Sequence, residues 1–483
     1  METRREIDPL GEKEVAKNAY YGIQTVRAVE NFPVSGIKHP TVFIKAYVQV
    51  KRAAAQANME LNWLNSKVGK AIVGACDDIL SGQLTDQFLV DVFQAGAGTS
   101  FNMNVNEVIA NRALELLNRE KGDYTIVNPN DHVNMAQSTN DTFPTALHIA
   151  VLIALQPLLE ELERLADSFD KVGKKYGKIM KSGRTHLQDA LPVTIGQELG
   201  AYASALRNAL KQLKDRQKGL YQIALGATAV GTGANAHPLY KRRAIQLLRE
   251  KTLLPLVPAK NTFEALQSYR ALQAVSSGLK ELALELIRIA NDLRILSSGP
   301  TTGLAEVQLP AVQPGSSIMP GKVNPVMAEC LDMVAFQVVG NDLAVALAVQ
   351  AGQLELNVMT PVIMHNVITS IQLLTSYLPV FRKKCIEGIL VNEQRCADYL
   401  QKNPTLATFL SPKIGYLEAS KIAKQALMED RPVKEIAEEK GLVKAQDLAR
   451  VFDSKRIVGE TRKRKRSKSS LQSFQGEKRV SKP

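Results

Sequence analysis

The chain has 483 residues, 45% of them hydrophobic and 5% aromatic, with a formal net charge of +13. That length exceeds one ordinary core, so two or three domains are expected, and the apolar fraction excludes a disordered polymer. Trp63 is the only tryptophan, so the core must rest on Leu, Ile, Val and Ala, a composition that suits helices.

The opening residues, Met1 to Asp8, carry charges with no apolar segment behind them, which is unlike a signal peptide. Turn-rich text follows at Tyr20-Tyr21-Gly22, then a helix is predicted from about Val42 to Leu64. Closely spaced glycines in Gln94-Ala95-Gly96-Ala97-Gly98-Thr99-Ser100-Phe101 precede a helix predicted from Val105 to Arg119. They form either a plain turn or an anion cradle at a helix start. The polar run Asn128 to Asn134 leads into Gln137-Ser138-Thr139-Asn140-Asp141.

Beyond it the pattern becomes one of long helices. Leu152, Leu155, Leu159, Leu162, Ala166, Phe169 and Val172 recur every three or four residues, with Pro157 expected to kink the run. Tyr202, Leu206, Leu210, Leu213 and Leu220 suggest a second such helix. Leu272, Val275, Leu279, Leu282, Leu286, Ile289 and Leu293 come close to a heptad. Further helices are predicted from Met327 to Ala348 and from Val362 to Phe381. Several helices of ~25 residues, each about 37 Å long at 1.5 Å per residue, imply an extended bundle whose wide apolar faces favour association. The seven-residue apolar run Ile149 to Leu155 is far short of the ~20 residues that span a bilayer, so no membrane is expected.

Four segments result: an N-terminal domain over 1–137, a central bundle over 138–395, a small helical domain over 396–453, and a basic tail over 454–483. The tail holds eleven Lys or Arg against two Glu, so nine of the thirteen net positive charges belong to it. With almost no apolar content it should be disordered. Such a run can bind polyanions, but without a recognition fold it carries no sequence readout, and nucleic acid is not expected as a partner. Removing the tail should leave catalysis intact. Cys76, Cys330, Cys385 and Cys396 show no metal-like or disulfide-like spacing, which fits a reduced cytoplasm.

Three polar clusters interrupt the helices. The first joins Gly96–Asn104 to Ser138-Thr139-Asn140, and the second is Gly183-Arg184-Thr185-His186-Leu187-Gln188-Asp189. The third is the loop Gly315-Ser316-Ser317-Ile318-Met319-Pro320-Gly321-Lys322-Val323-Asn324-Pro325, where two glycines and two prolines exclude regular structure. The glycine-rich Gly226–Gly233 lacks the preceding strand that a dinucleotide fingerprint requires.

Position for position, the third loop resembles the signature loop of the aspartase/fumarase superfamily, and the likeness covers all three clusters from about residue 10 to 453. Gly226–Gly233 also matches a family segment, with Ala227 where a second Gly is usual and Ala234 where Leu is. The resemblance implies an all-α, three-domain homotetramer with a central long-helix bundle, each active site taking its clusters from three subunits. It implies anti elimination from a succinyl-type substrate with no cofactor and no metal. Ser316 would be the general base on a mobile loop, its alkoxide stabilised by Lys322 and backbone amides. Thr99, Ser138, Thr139 and Ser317 would hold the β-carboxylate as an aci-carboxylate. Lys322, Asn324 and Thr185 would clamp the α-carboxylate. His186 and Asn140 would face the leaving group, with Glu329 pairing the histidine.

Within the superfamily, Gly96-Ala97-Gly98-Thr99-Ser100 and Ser138-Thr139-Asn140-Asp141 resemble the aspartase pattern. Fumarases usually read Gly-Ser-Gly-Thr-Gln and Ser-Ser-Asn-Asp there. Tyr20-Tyr21-Gly22 and Cys385–Ile389 point the same way. The expectation is reversible release of ammonia from L-aspartate to give fumarate. Fumarate hydration to malate is the nearer alternative, and polyanion binding through the tail the remoter one.

Overall fold

The computed structural model describes residues 2–459. Most of the expected tail, from 460 onward, lies outside them. The only part of it described in regular structure is the single helical turn Ser454–Ile457, capped by the Asp453 side chain on the Arg456 amide.

The architecture is all-α, with long helices and, among the described residues, only two-stranded sheets. The described residues separate into two compact units, each assembled from three segments: 2–168, 202–295 and 309–388 in the first, and 169–201, 296–308 and 389–459 in the second.

The first unit opens on the hairpin β1 (Thr3–Asp8) and β2 (Gly11–Ala16), then α1 (Ile23–Asn31). Helices α2 (Thr41–Glu60), α3 (Ser66–Leu80) and α4 (Thr99–Leu116) pack in sequence. Helix α4 starts six residues earlier than the predicted Val105, because the glycines end the turn at Gly98 and Thr99 to Asn104 already wind as helix. It is buried on nearly every side, including Asn102, Asn104, Asn106, Glu107 and Asn111. A helix carrying that many buried amides shows no apolar stripe, which is why its start was misplaced.

Helix α5 runs unbroken from Thr139 to Lys175, through Pro144 and Pro157. All seven of its predicted apolar positions are buried. At 37 residues it is about 55 Å long at 1.5 Å per residue. Helices α6 (Ile195–Arg216), α7 (Tyr240–Thr252), α8 (Thr262–Gln267) and α9 (Arg270–Leu296) follow. The near-heptad of α9, Leu272 to Leu293, is buried throughout. Leu220 falls outside α6, in the short turn Gln217–Tyr221.

Helices α10 (Val326–Gln350) and α11 (Thr360–Phe381) pack against each other. Both α5 and α10 are apolar and long enough, by those criteria alone, to cross a bilayer, more than the short run at Ile149 suggested. Helix α5 turns that surface inward. Helix α10 leaves Met333, Phe336, Leu343 and Leu347 exposed along one side.

The second unit is organised on the antiparallel hairpin β3 (Met180–Thr185) and β4 (Gln188–Thr194), which the helix-dominated reading of the sequence did not anticipate. Lys181 is buried between Glu198 at 2.9 Å and Glu306 at 3.0 Å, and Arg184 adds a second bond to Glu306 at 2.9 Å. Asn403 ties the strands together by donating to Ser182 Oγ and to the Ala190 carbonyl. A separate small core forms from Leu410, Ile422, Val433, Ile436 and Leu448 on the C-terminal helices.

Candidate active site

The structure brings Thr99 and Thr139 of the first cluster together. Gly96, Ala97 and Gly98 take three successive left-handed conformations (φ +86°, +54°, +91°) that deliver the chain into α4. A side chain at Gly98 would run into the Phe143 ring, so the turn rests on the aromatic group Phe43, Tyr47, Phe101 and Phe143. Thr99, the first residue of α4, bonds to the Gly96 carbonyl and places its hydroxyl 3.2 Å from that of Thr139. Thr139 opens α5, so two helix N-termini meet here, and their amides favour negative charge.

A capping box builds the α5 end. The Asp141 carboxylate accepts from the Ser138 amide at 3.1 Å, and Ser138 Oγ accepts from the Asn140 amide. The other Asp141 oxygen accepts from the amides of Gly226 and Thr228 at 3.0 and 2.9 Å. Asn140 also donates to the Ala229 carbonyl at 2.8 Å. The glycine-rich Gly226–Gly233 is thus a wall of this cluster. Burial raises the Asp141 pKa to about 7, against the pull of the three amides and of Lys51.

Lys51 was not singled out from sequence. It is fully buried and gives its three protons to Asn102 (2.7 Å), Asn134 (2.9 Å) and Gln137 (3.0 Å). Burial lowers its pKa to about 7, while three carbonyl acceptors are the set that an ammonium satisfies. Its signal was present: Lys51 stands four residues after Tyr47 on the buried face of α2, where a solvated lysine has no place.

The third cluster closes on itself. The Gly315 amide donates to the Lys322 carbonyl at 2.8 Å, and Asn324 Nδ2 donates to the Gly315 carbonyl at 2.7 Å. Lys322 Nζ donates to Asn324 Oδ1 at 2.8 Å. Ser316 Oγ lies inside this noose and accepts from the amides of Ile318 (3.2 Å) and Met319 (3.0 Å). Ser317 is exposed, as are Ile318 and Met319. Glu329 sits in the first turn of α10, half-buried. Among the described residues no hydrogen bond joins this loop to Thr99, Ser138 or Thr139.

The second cluster belongs to the second unit. Thr185 ends β3, and His186 and Leu187 are the two turn residues before Gln188 opens β4. Both are left-handed, at φ +57° and +59°, the pattern of a type I′ turn that normally favours Asn and Gly. Each non-glycine residue held there costs about 1–2 kcal/mol. Thr185 and His186 are exposed. Among the described residues no group of three or more His, Cys, Asp or Glu is placed to hold a metal ion.

Residues 11–340 match the family model described as lyase, and residues 406–459 match that of the fumarase C C-terminus. The chain belongs to this lyase family. It is 48% identical over 447 residues to the aspartate ammonia-lyase of Bacillus subtilis (strain 168), covering 92% of this chain and 94% of that one. To the Escherichia coli (strain K12) aspartate ammonia-lyase it is 44% identical, covering 96% and 98%. Among solved structures, fumarate lyase:delta crystallin from Brucella melitensis bound to cobalt superposes with a TM-score of 0.92 at 47% identity, over 95% of this chain and all of the other. The class II fumarase from Schistosoma mansoni gives a TM-score of 0.92 at 35% identity, over 95% and 100%. The protein is an enzyme, a carbon–nitrogen lyase.

Proposed function

We propose that the chain catalyses the reversible anti elimination of ammonia from L-aspartate to give fumarate, with Ser316 as the base. The observation that carries this reading is the pair of amides, Ile318 and Met319, aimed at Ser316 Oγ. A serine hydroxyl is a base only as its alkoxide. Two hydrogen bonds to a charged acceptor, about 1.5–3 kcal/mol each, lower its pKa by roughly 2–4 units at 1.36 kcal/mol per unit. That falls short of neutrality, so a cation is required as well, and Lys322 closes the same loop.

The alkoxide takes the C3 proton, and the electron pair moves into the β-carboxylate, held by Thr99, Ser138, Thr139 and Ser317. Collapse of this aci-carboxylate forms the C2–C3 double bond and breaks the C2–N bond on the opposite face. Lys322, Asn324 and Thr185 hold the α-carboxylate. Asn140 and His186 face the departing amine, with Glu329 paired to the histidine. The strained conformation of His186 supports a functional role, because such conformations persist where the surrounding structure enforces them. Among the described residues no hydrogen bond joins the Ser316 loop to the first cluster, and α10 exposes an apolar stripe. Both fit a homotetramer in which three subunits complete each site. The four cysteines, none disulfide-bonded, fit a cytoplasmic setting.

The test mixes purified protein separately with L-aspartate and L-malate and follows fumarate by ultraviolet absorbance. Fumarate with stoichiometric ammonia from aspartate alone is expected, and Ser316→Ala should lower kcat about 10²–10⁴-fold, the range of a lost general base. Fumarate from malate alone would make the protein a hydratase. Silence on both would point to another succinyl substrate.

A further inference from the structure

Helix α4 lacks the side-chain cap that its position demands. Its N-cap residue is Gly98, which has no side chain to offer. The amide of Phe101, third in the helix, is instead satisfied from outside by Gln94 Oε1 at 3.0 Å. Because that oxygen must accept, the Gln94 amide nitrogen is turned the other way, towards the Asp91 carbonyl and His39 Nε2, each at 3.3 Å.

His39 is fixed in its turn. The ring is buried and stacks on Phe101, with centroids 3.9 Å apart and planes 17° apart. Its Nδ1 lies 3.1 Å from the Val90 carbonyl, which can only accept, so Nδ1 carries the proton and Nε2 is the acceptor that Gln94 needs. Burial, which holds the imidazole pKa down to about 3, agrees with that neutral tautomer.

We propose that His39 is a positioning residue: through Gln94 it caps α4, holds the strained Gly96–Gly98 turn, and so sets where the Thr99 hydroxyl meets the substrate carboxylate. The inference rests on the reading of Thr99 given above. The imidazole touches no substrate; it supplies one acceptor nitrogen at the position that orients the glutamine, and the glutamine supplies the cap that glycine cannot.

The test is a double-mutant cycle between His39→Phe and Thr99→Ala in the full chain, assayed as fumarate released from L-aspartate well below the melting temperature. Phenylalanine keeps the stack on Phe101 and removes the nitrogens. His39→Phe should lower kcat/KM about five- to tenfold, the size of one neutral hydrogen bond, and His39→Gln, whose amide oxygen can accept from Gln94, should recover most of it. In the Thr99→Ala background the same substitution should cost less than about twofold, because nothing is left to position. Fully additive losses, or an unchanged kcat/KM in His39→Phe beside a damaged Thr99→Ala, would overturn the inference and leave the site reading intact. An unimpaired Thr99→Ala would overturn the site reading and the inference with it. Should His39→Phe fail to fold, Gln94→Met breaks the same link from the other end and enters the same cycle.

Discussion

The neck of the Ser316 loop sets a sharp test of the proposed chemistry. At Gly315 an added Cβ would stand 2.5 Å from the Lys322 carbonyl oxygen and 2.8 Å from both Asn324 N and Val323 Cα. All three are backbone atoms and none can swing aside. Carbon contacts relax only near 3.5 Å, so Gly315→Ala must open the neck by about 0.5–1 Å. The bonds most exposed to that opening are Gly315 N to Lys322 O and Asn324 Nδ2 to Gly315 O, together worth about 2 kcal/mol. Ser316, the next residue, moves with the neck, and a displacement near 1 Å in a catalytic geometry costs about 10²-fold in rate. The variant should therefore lose about two orders of magnitude in kcat, measured as fumarate absorbance at saturating L-aspartate. Its apparent melting temperature should stay within about 2 °C, since the loop is exposed and α10 keeps its buried face. A kcat within about twofold of the parent would refute the argument that the noose, and not merely the presence of Ser316, makes the base.

Asp141→Asn keeps the shape but leaves an NH₂ facing at least one of the three amides at Ser138, Gly226 and Thr228. A loss of about 2 kcal/mol there should speed hydrogen exchange about 30-fold in peptides covering 138–146 and 224–233, measured by mass spectrometry; unchanged exchange in both would show that Asp141 is not the joint between them. The acid limb of stability should report His39. Its folded pKa is about 3 against an unfolded 6.5, so the unfolded chain binds the extra proton. The stabilisation is complete above about pH 6.5 and falls by up to about 1.4 kcal/mol per pH unit as pH drops towards 3. His39→Phe should flatten that limb of the melting-temperature profile, and an unchanged slope would place the acid sensitivity elsewhere. Removal of residues 460–483 should leave turnover unchanged, and a loss of activity would give the basic segment a role in the enzyme.

Much of this molecule is determined one residue at a time. The three- and four-residue spacing of Leu272 to Leu293 dictates a helix with one buried face whatever it packs against, because the period of the backbone aligns those side chains. The loop from Gly315 to Pro325 could not have been helix or strand, for its prolines lack the N–H that either ladder needs and its glycines have the most backbone freedom to lose on ordering. Ser138 and Asp141, three apart before an apolar run, mark a helix start in the same local way. The hairpin at His186 was hidden, since its turn carries two residues that ordinarily avoid left-handed backbone, held there by strand pairing rather than by their own preference. Lys51, His39 and Gln94 were hidden for a related reason. A lysine, a histidine and a glutamine read as solvated until tertiary packing removes the water around them. Only then does each polar atom have to find a partner within the chain, and the partners found, 51, 83 and 86 residues from Lys51 and 55 residues from His39, are set by the fold and by no local rule.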